Sequence, residues 1–492
     1  MKYIITTLLL THSIFTFAQL PTVDTLYLNL QQTIGMAQGE APDVQIAKTS
    51  YSNNFWRFRS YQADFKPQIL FEATLPNINR SIDQITAPDG LDVFVSRSSM
   101  LNSAGVSLSQ RIGLTGGEVS LSTGIQRLDI FPSGAIPRQT TYLSSPIFLS
   151  IDQPLFQFNS FKWDKKIEPI IFDEAKKGFS EDLEAVAGQS AQLFFSVLIA
   201  QLNLEASKRD KLEADSLLTI SKGRFEVGKI AETEVLQIEL NVMNANANLA
   251  QSELNLQRST EQLRNFLGIK KAIAFKLTPP ANIPDLEIDI DKALDFAREN
   301  RSQILSFRRR ILEAERNLAQ AIGNTGLNMN LRLDFGLSQT GMDFGDAYRD
   351  PLDQERLLLN LRVPIADWGK TQARREIAQS NLELTRLQVT QDEVNFEREI
   401  ITAVQQFSLV RNQVNLSLRA YEVAQKRLDI TRKRYRIGKI GSTDLNLAIS
   451  EEANARRSYM NALQSFWLAY YELRELTLYD FENNRPLLQQ ID

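Results

Sequence analysis

The chain's entire supply of imidazole and thiol is one side chain, His12, in 492 residues that contain no cysteine. Around it, Lys2 is a positive start, Tyr3 to Phe17 a short apolar stretch, and Thr16-Phe17-Ala18 places small residues at the −3 and −1 positions of a cleavage site. These features predict a secretory signal peptide over residues 1–18, too short in its apolar part to span a bilayer. Once it is removed, Ser-His-Asp and Cys-His nucleophilic sites, His/Cys zinc sites and disulfides all lack their residues. No cysteine follows the cleavage site to carry a lipid anchor. Carboxylate-only catalysis stays formally open, but no catalytic, cofactor or metal residues are expected.

Charge excludes a further class. Without Lys2 the 55 basic residues become 54 against 59 acidic ones, a net of −5, and no basic patch suits nucleic acid. No apolar run of about 18 residues follows the signal, so no spanning helix is expected. Barrel strands alternate and never read as apolar runs, so a membrane β-barrel escapes that test.

The chain repeats itself. Arg224-Phe225-Glu226-Val227-Gly228-Lys229-Ile230 returns as Arg434-Tyr435-Arg436-Ile437-Gly438-Lys439-Ile440, 210 residues on, and Gln153-Pro154-Leu155 is matched at that offset by Val363-Pro364-Ile365. Nearer the start of each half the offset is 260: Leu28, Leu30, Ala37 and Val44 fall on Ile288, Ile290, Ala297 and Ile304. The first half therefore carries 50 extra residues between Val44 and Gln153. This predicts a first repeat over 19–276, a Pro-rich linker at 277–286, a second repeat over 287–480 and a tail at 481–492.

Each repeat reads helix, β-hairpin, very long helix, tight turn, long helix. In the second, Leu327, Met329, Leu331, Leu333, Phe335 and Leu337 alternate with polar residues and glycine, and Leu357, Leu359, Leu361 and Val363 form a second strand. Ile69, Phe71, Ala73 and Leu75, then Ile147, Leu149 and Ile151, are their first-half counterparts. A soluble sandwich alternates in the same way. The extra residues, with Val106, Leu108, Val119, Leu121, Thr123 and Ile125 around Gly116-Gly117, read as an extended or additional hairpin toward the outer surface.

The helices show coiled-coil seams. Val235, Ile238, Val242, Ala245, Leu249, Ser252, Leu256, Ser259, Leu263 and Phe266 keep a strict 3-4 spacing, repeated 210 later from Leu445 to Leu476 with one charged break at Glu452. Ile400, Val404, Phe407, Val410, Val414, Leu418 and Tyr421 stripe the preceding helix. Nothing breaks helix between Trp368 and Tyr435, and about 68 residues at 1.5 Å each make a rod of roughly 100 Å. Two hairpins amount to about four strands. An open sheet of four in lipid would leave edge groups unpaired at several kcal/mol each, so copies must close the barrel together.

With paired Arg-aromatic-x-aliphatic-Gly turns, a QPLF-like strand end and this duplicated layout, the chain resembles the TolC family of outer-membrane factors from about Leu28 to Leu478. The resemblance implies a mainly α fold with a small antiparallel β part: a long coiled-coil tunnel in the periplasm, and β-hairpins completing a 12-stranded transmembrane barrel in a homotrimer. It implies the exit duct of a tripartite efflux pump or type I secretion system in a Gram-negative outer membrane. The partners it implies are a periplasmic adaptor, an inner-membrane pump reached through the adaptor, and outer-membrane lipid. Neither an enzyme activity nor nucleic acid is expected.

Gly228 and Gly438 suit the left-handed conformation that ends a helix. Thr233-Glu234 and Ser442-Thr443-Asp444 put hydroxyls and carboxylates at the next N-terminus, as caps and dipole partners. Capping leaves Arg224, Arg434, Val227 and Ile437 unexplained. The resemblance makes Arg224, Phe225, Val227, Gly228, Arg434, Tyr435, Ile437 and Gly438 the tips gripped by the adaptor. It makes Thr233, Glu234, Tyr435 and Asp444 the periplasmic gate. Ile440 and Leu447 stand where the family places an arginine latch and a second acidic ring, so latching and cation block should differ. Cargo is not legible. The alternative, a non-transporting coiled-coil protein, would be soluble without detergent.

Overall fold

A computed structural model describes residues 24–86, 90–132, 137–280 and 283–488. The signal peptide expected at 1–18 lies outside the described residues. Strand β1 (Asp24–Leu28) pairs in parallel with β6 (Ile273–Leu277), tying the start of the first half to its end. Helix α1 (Leu30–Glu40) opens on a capping box, with Asn29 and Gln32 each accepting the other's backbone N–H. Helix α2 (Pro42–Asp64) follows, with Pro42 at a first-turn position where no backbone hydrogen bond is lost. Their counterparts α5 (Ile290–Asn300) and α6 (Ser302–Asn324) begin and end 260 residues later.

Two rods of 67 residues dominate the chain, α3 (Ser160–Glu226) and α7 (Lys370–Arg436), each about 100 Å long at 1.5 Å per residue. Each turns sharply into a returning helix, α4 (Glu232–Phe266) or α8 (Ser442–Thr477). Helix α3 packs on α4 and α7 on α8, while α3 also lies along α8. The seams are covered as their spacing requires: Ile238, Leu263, Leu445, Phe466, Leu473, Ile400 and Phe407 are all 0–1% exposed.

The main core forms where α1, α3, α5, α7 and α8 converge, around Phe194, Phe195, Phe407, Phe466 and Tyr470. At its margin Arg474 donates to both oxygens of Glu184, at 2.8 and 3.2 Å, and lies 3.6 Å from Asp480. Burial pushes the neighbouring Tyr471 hydroxyl up to about 12. Against the sequence expectation, one stretch of α3 is long and apolar enough to cross a membrane. Its apolarity has another cause: 61% of it is buried inside the chain, where Phe194, Phe195, Val197 and Leu198 belong to this core.

The sheet corrects the strand count. Strands β2 (Gln68–Thr86), β3 (Asp92–Ile112), β4 (Gly117–Phe131), β5 (Gln139–Leu155), β7 (Asn328–Gly341) and β8 (Leu352–Arg362) form one antiparallel six-stranded sheet in that order. The four strands per chain expected from the two hairpins are two too few. The extra residues form an additional hairpin, but one built into the sheet and not placed beyond it. Its turn lies at the helical end, where Asn159, the cap of α3, donates to the carbonyls of Gly113 and Leu114 and Phe65 packs against Gly113. The last elements among the described residues are a small antiparallel pair, β9 (Tyr479–Asp480) with β10 (Arg485–Pro486).

Candidate functional site: a two-faced sheet and paired helical tips

Cross-strand partners share a face, so register sorts the sheet into two surfaces. One row runs Ile69, Leu108, Leu121, Leu149 and Phe335 before ending on Glu355 at the β8 edge; the next joins Val119, Ile151, Leu333 and Leu357. This face is open to its surroundings, with Ile69 75%, Phe335 56% and Leu357 71% exposed. A contiguous apolar band of this extent marks an interaction surface. The opposite face is polar: Ser109, Ser120, Ser150 and Asp334 form one row and Arg111, Glu118, Asp152 and Arg332 the next. There Ser150 donates to Asp334 at 2.6 Å, Arg332 donates to it at 3.1 Å, and Asn330 donates to Asp152 at 3.1 Å. Strands β2 and β8 each have one edge without a partner strand among the described residues.

At the far end of the rods the two turns share one geometry. Gly228 and Gly438 sit at φ +70° and +78°, the left-handed region that glycine enters at no steric cost. The N–H groups of Gly228 and Lys229 bond the carbonyls of Phe225 and Arg224; those of Gly438 and Lys439 bond Tyr435 and Arg434. This double bond pattern is the Schellman closure, which satisfies the last carbonyls of a helix. The expected hydroxyl caps are corrected. Helices α4 and α8 are capped by Ala231 and Gly441 without side-chain hydrogen bonds, because Thr233, Ser442 and Thr443 already stand inside the first turn. Glu232, Glu234 and Asp444 remain there as acidic partners of the helix dipole.

Side chains divide the turns. Val227 and Ile437 are 66% and 65% exposed, Phe225 is 44% exposed, and Arg434 is exposed. Tyr435 is only 2% exposed, within a small second core with Leu217, Ile238, Leu428, Leu445 and Ala448. Its hydroxyl lies 3.2 Å from Ser221 Oγ. Arg224 donates to the carbonyls of Tyr435 and Arg436, at 3.3 and 2.9 Å, with its guanidinium 5.4 Å from the centre of the Tyr435 ring. Tyr435 and Arg224 therefore leave the set of projecting tip residues: one is enclosed, and the other clamps the two tips of the same chain together. Thr233 and Asp444 are exposed and Glu234 half-buried, and Tyr435 meets Ser221 and Arg224 instead of any of them. Sequence reasoning missed Ser221 and the clamp. The only available signal was a serine one turn before Arg224, which is weak by itself.

Comparison with known proteins agrees with this architecture. The family model described as outer membrane efflux protein matches residues 90–269 and again 293–477, one match in each half. Outer membrane protein TolC of Vibrio cholerae is 26% identical over 377 residues, covering 73% of this chain and 81% of that protein. Among solved structures, the Campylobacter jejuni CmeC outer membrane channel superposes with a TM-score of 0.65 at 15% identity, covering 91% of this chain and 85% of its own. A membrane protein from Pseudomonas aeruginosa gives a TM-score of 0.66 at 14% identity, over 94% and 92% of the two chains. With two family matches that together span most of its length, a two-faced sheet and paired helical rods, the chain belongs to the outer membrane efflux protein family, whose place is the Gram-negative outer membrane.

Proposed function

We propose that this chain is the passive exit duct of a tripartite efflux or secretion assembly, with its sheet in outer-membrane lipid and its rods forming a tunnel across the periplasm. The observation that carries the reading is the sheet itself, largely apolar and open on one face, polar and hydrogen-bonded on the other, with outer edges at β2 and β8 that have no partner strand among the described residues. In hydrocarbon each unpaired backbone group costs several kcal/mol, so the edges must meet those of other copies. The family likeness supports three copies. Six strands from each give eighteen, inside the range of known barrels. Barrel diameter grows roughly linearly with strand number, so this duct is about half as wide again as one of twelve strands.

The exposed Val227 and Ile437 then face a periplasmic adaptor, which links the duct to an inner-membrane pump that supplies the energy. Thr233, Glu234 and Asp444 line the entrance, where Ile440 and Leu447 leave it without the family's arginine latch and second acidic ring. Mass measurement of the purified protein in mild detergent tests the assembly: three chains are expected, and one or two would overturn it. Single-channel conductance tests the width, for a barrel-limited conductance no greater than that of a twelve-stranded relative would remove the eighteen-stranded closure.

A further inference from the structure

We propose that the clamp joining the two tips within one chain is repeated between chains, with Arg434 of one copy closing on the backbone carbonyls of Phe225 and Glu226 in the next. The inference rests on the three-copy reading above. Within a chain Arg224 on the first tip donates to the carbonyls of Tyr435 and Arg436 on the second, and the Ser221 hydroxyl shares a hydrogen bond with that of Tyr435. The 210-residue repeat supplies a second set in reverse. Thr431 and Arg434 stand at the positions equivalent to Ser221 and Arg224, and Phe225 and Glu226 at those equivalent to Tyr435 and Arg436. In a single chain this set is unused: Phe225 is 44% exposed, and the Arg434 guanidinium makes no hydrogen bond or ion pair among the described residues. A one-way contact with an open donor end and an open acceptor end is a head-to-tail interface, which closes on itself in a ring.

The flanking helices carry the same message independently. In the chain α3 lies along α8, so the image of that contact 210 residues away is α7 against α4 of the next copy. Both helices keep apolar residues open on a heptad spacing: Leu409, Leu416 and Val423 on α7 are 65%, 65% and 55% exposed, and Leu236 and Met243 on α4 are 56% and 60% exposed. Register decides whether these stripes can meet. Within the chain the side chain of Tyr471 sits 3.7 Å from where a Cβ on Gly188 would be. Carrying that level across the repeat sets Val423, Leu416 and Leu409 opposite Leu236, Met243 and Ala250, each exposed in one chain. Matching seams of this kind are coiled-coil partners, and the occupant is a second copy of the chain. The two clamps differ in one atom that matters. Between chains Phe225 has no hydroxyl for Thr431, so that clamp relies on Arg434 and the carbonyls.

The absence of cysteine makes the test direct. In the detergent-purified full chain, Phe225→Cys with Thr431→Cys, and separately Leu236→Cys with Val423→Cys, are treated with a short bis-maleimide linker. Both pairs should yield two- and three-chain products on denaturing gels, whereas Ser221→Cys with Tyr435→Cys should link only within a chain. Adding Arg434→Ala should lower the yield of the Phe225/Thr431 pair several-fold and spare the Leu236/Val423 pair. Chains that stay unlinked in a preparation of intact three-chain mass, or a Phe225/Thr431 yield indifferent to Arg434→Ala, would overturn the clamp and leave the duct standing. A one-chain mass would overturn both.

Discussion

The two tips carry nearly the same seven residues and meet different fates. At the second, Tyr435 is 2% exposed and held by Arg224 and Ser221; at the first, Phe225 is 44% exposed with no such enclosure. Both backbones close identically, with a left-handed glycine and two bonds back to the helix end. Local sequence therefore determines the turn, while burial of the aromatic depends on which helix lies beside it. Helix α3 offers Tyr435 a neighbour from its own chain, whereas Phe225 stays open in the single chain. In the three-copy ring proposed above, this division is unavoidable, because one of the two equivalent contacts must cross between molecules.

The largest effect should come from emptying the enclosed site. Tyr435→Ala removes a buried ring, and such truncations cost about 3–5 kcal/mol. It also takes the ring from beneath Arg224 and the hydroxyl from Ser221, so melting followed by circular dichroism should fall by several degrees. Phe225→Ala removes a ring that its own chain does not enclose, and should show first as chains separating by mass while helix content holds. Equal unfolding in the two variants would erase the distinction between the tips. The reciprocal swap sharpens it: Tyr435→Phe loses one hydrogen bond, worth about 1 kcal/mol, and Phe225→Tyr offers one to Thr431.

Next in size is the contrast between the faces of the sheet. Leu333 sits in the apolar row with Ile151 and Leu357, and a charge there costs about 2–4 kcal/mol at mid-bilayer, so Leu333→Arg should block membrane assembly. Asp334, one residue on, is 3% exposed and accepts from Ser150 and Arg332. Asp334→Asn keeps its size and should assemble while shifting ion selectivity, read from reversal potentials. Reversing its charge to Arg would also break the Ser150 and Arg332 bonds, which makes that variant a poorer probe of the lumen. Assembly of Leu333→Arg at normal yield would show that this face does not meet lipid.

Legibility followed locality. Alternation identified both strands of the second half and its open face, and 3-4 spacing identified the seams, because each pattern depends on neighbours within a few turns of the chain. The offsets of 260 and 210 recur in where the helices begin and end. The additional hairpin had its alternation read correctly and its place misread. Its place in the sheet is set by the pairing of β3 with β2 and of β4 with β5, and its turn is fixed at the helical end by Phe65 and by Asn159, 45–46 residues from Leu114 and Gly113. The Arg224 clamp spans 211 and 212 residues to its two acceptors, and no spacing rule reaches that far. The hydroxyl caps failed for a smaller reason: a boundary misplaced by two residues turns a cap into a first-turn side chain.

A moderate loss is expected at the glycines. Gly228 and Gly438 have nothing within 4 Å of a would-be Cβ, so space is not their constraint and positive φ is. Valine in that region costs of order 1–3 kcal/mol, and Gly228→Val and Gly438→Val should lower melting to similar extents. A large inequality would mean that one tip is held more rigidly than the local bonds explain.

The smallest effect on stability should accompany a large effect on transport. Val227 and Ile437 project from the two tips, 66% and 65% exposed, and make no contribution to either core. An exposed aliphatic side chain gains nothing from its own fold, and surface substitutions of this kind usually fall within about 0.5 kcal/mol. Val227→Asp with Ile437→Asp should therefore leave the three-chain mass and the melting curve nearly unchanged. If these side chains are what an adaptor covers, adding a carboxylate to each places an unpaired charge in a desolvated contact, which costs several kcal/mol of binding. Efflux in cells and crosslinking to the adaptor should then fall sharply while the duct persists in the membrane. The single variants separate the tips further. Tyr435 holds the second tip firm beside Ile437, whereas the first tip keeps Phe225 open beside Val227, so the two changes should weaken docking to different degrees. Normal efflux and crosslinking in the double variant would remove docking from these positions, leaving the aliphatic pair as exposed ends of two well-closed helices.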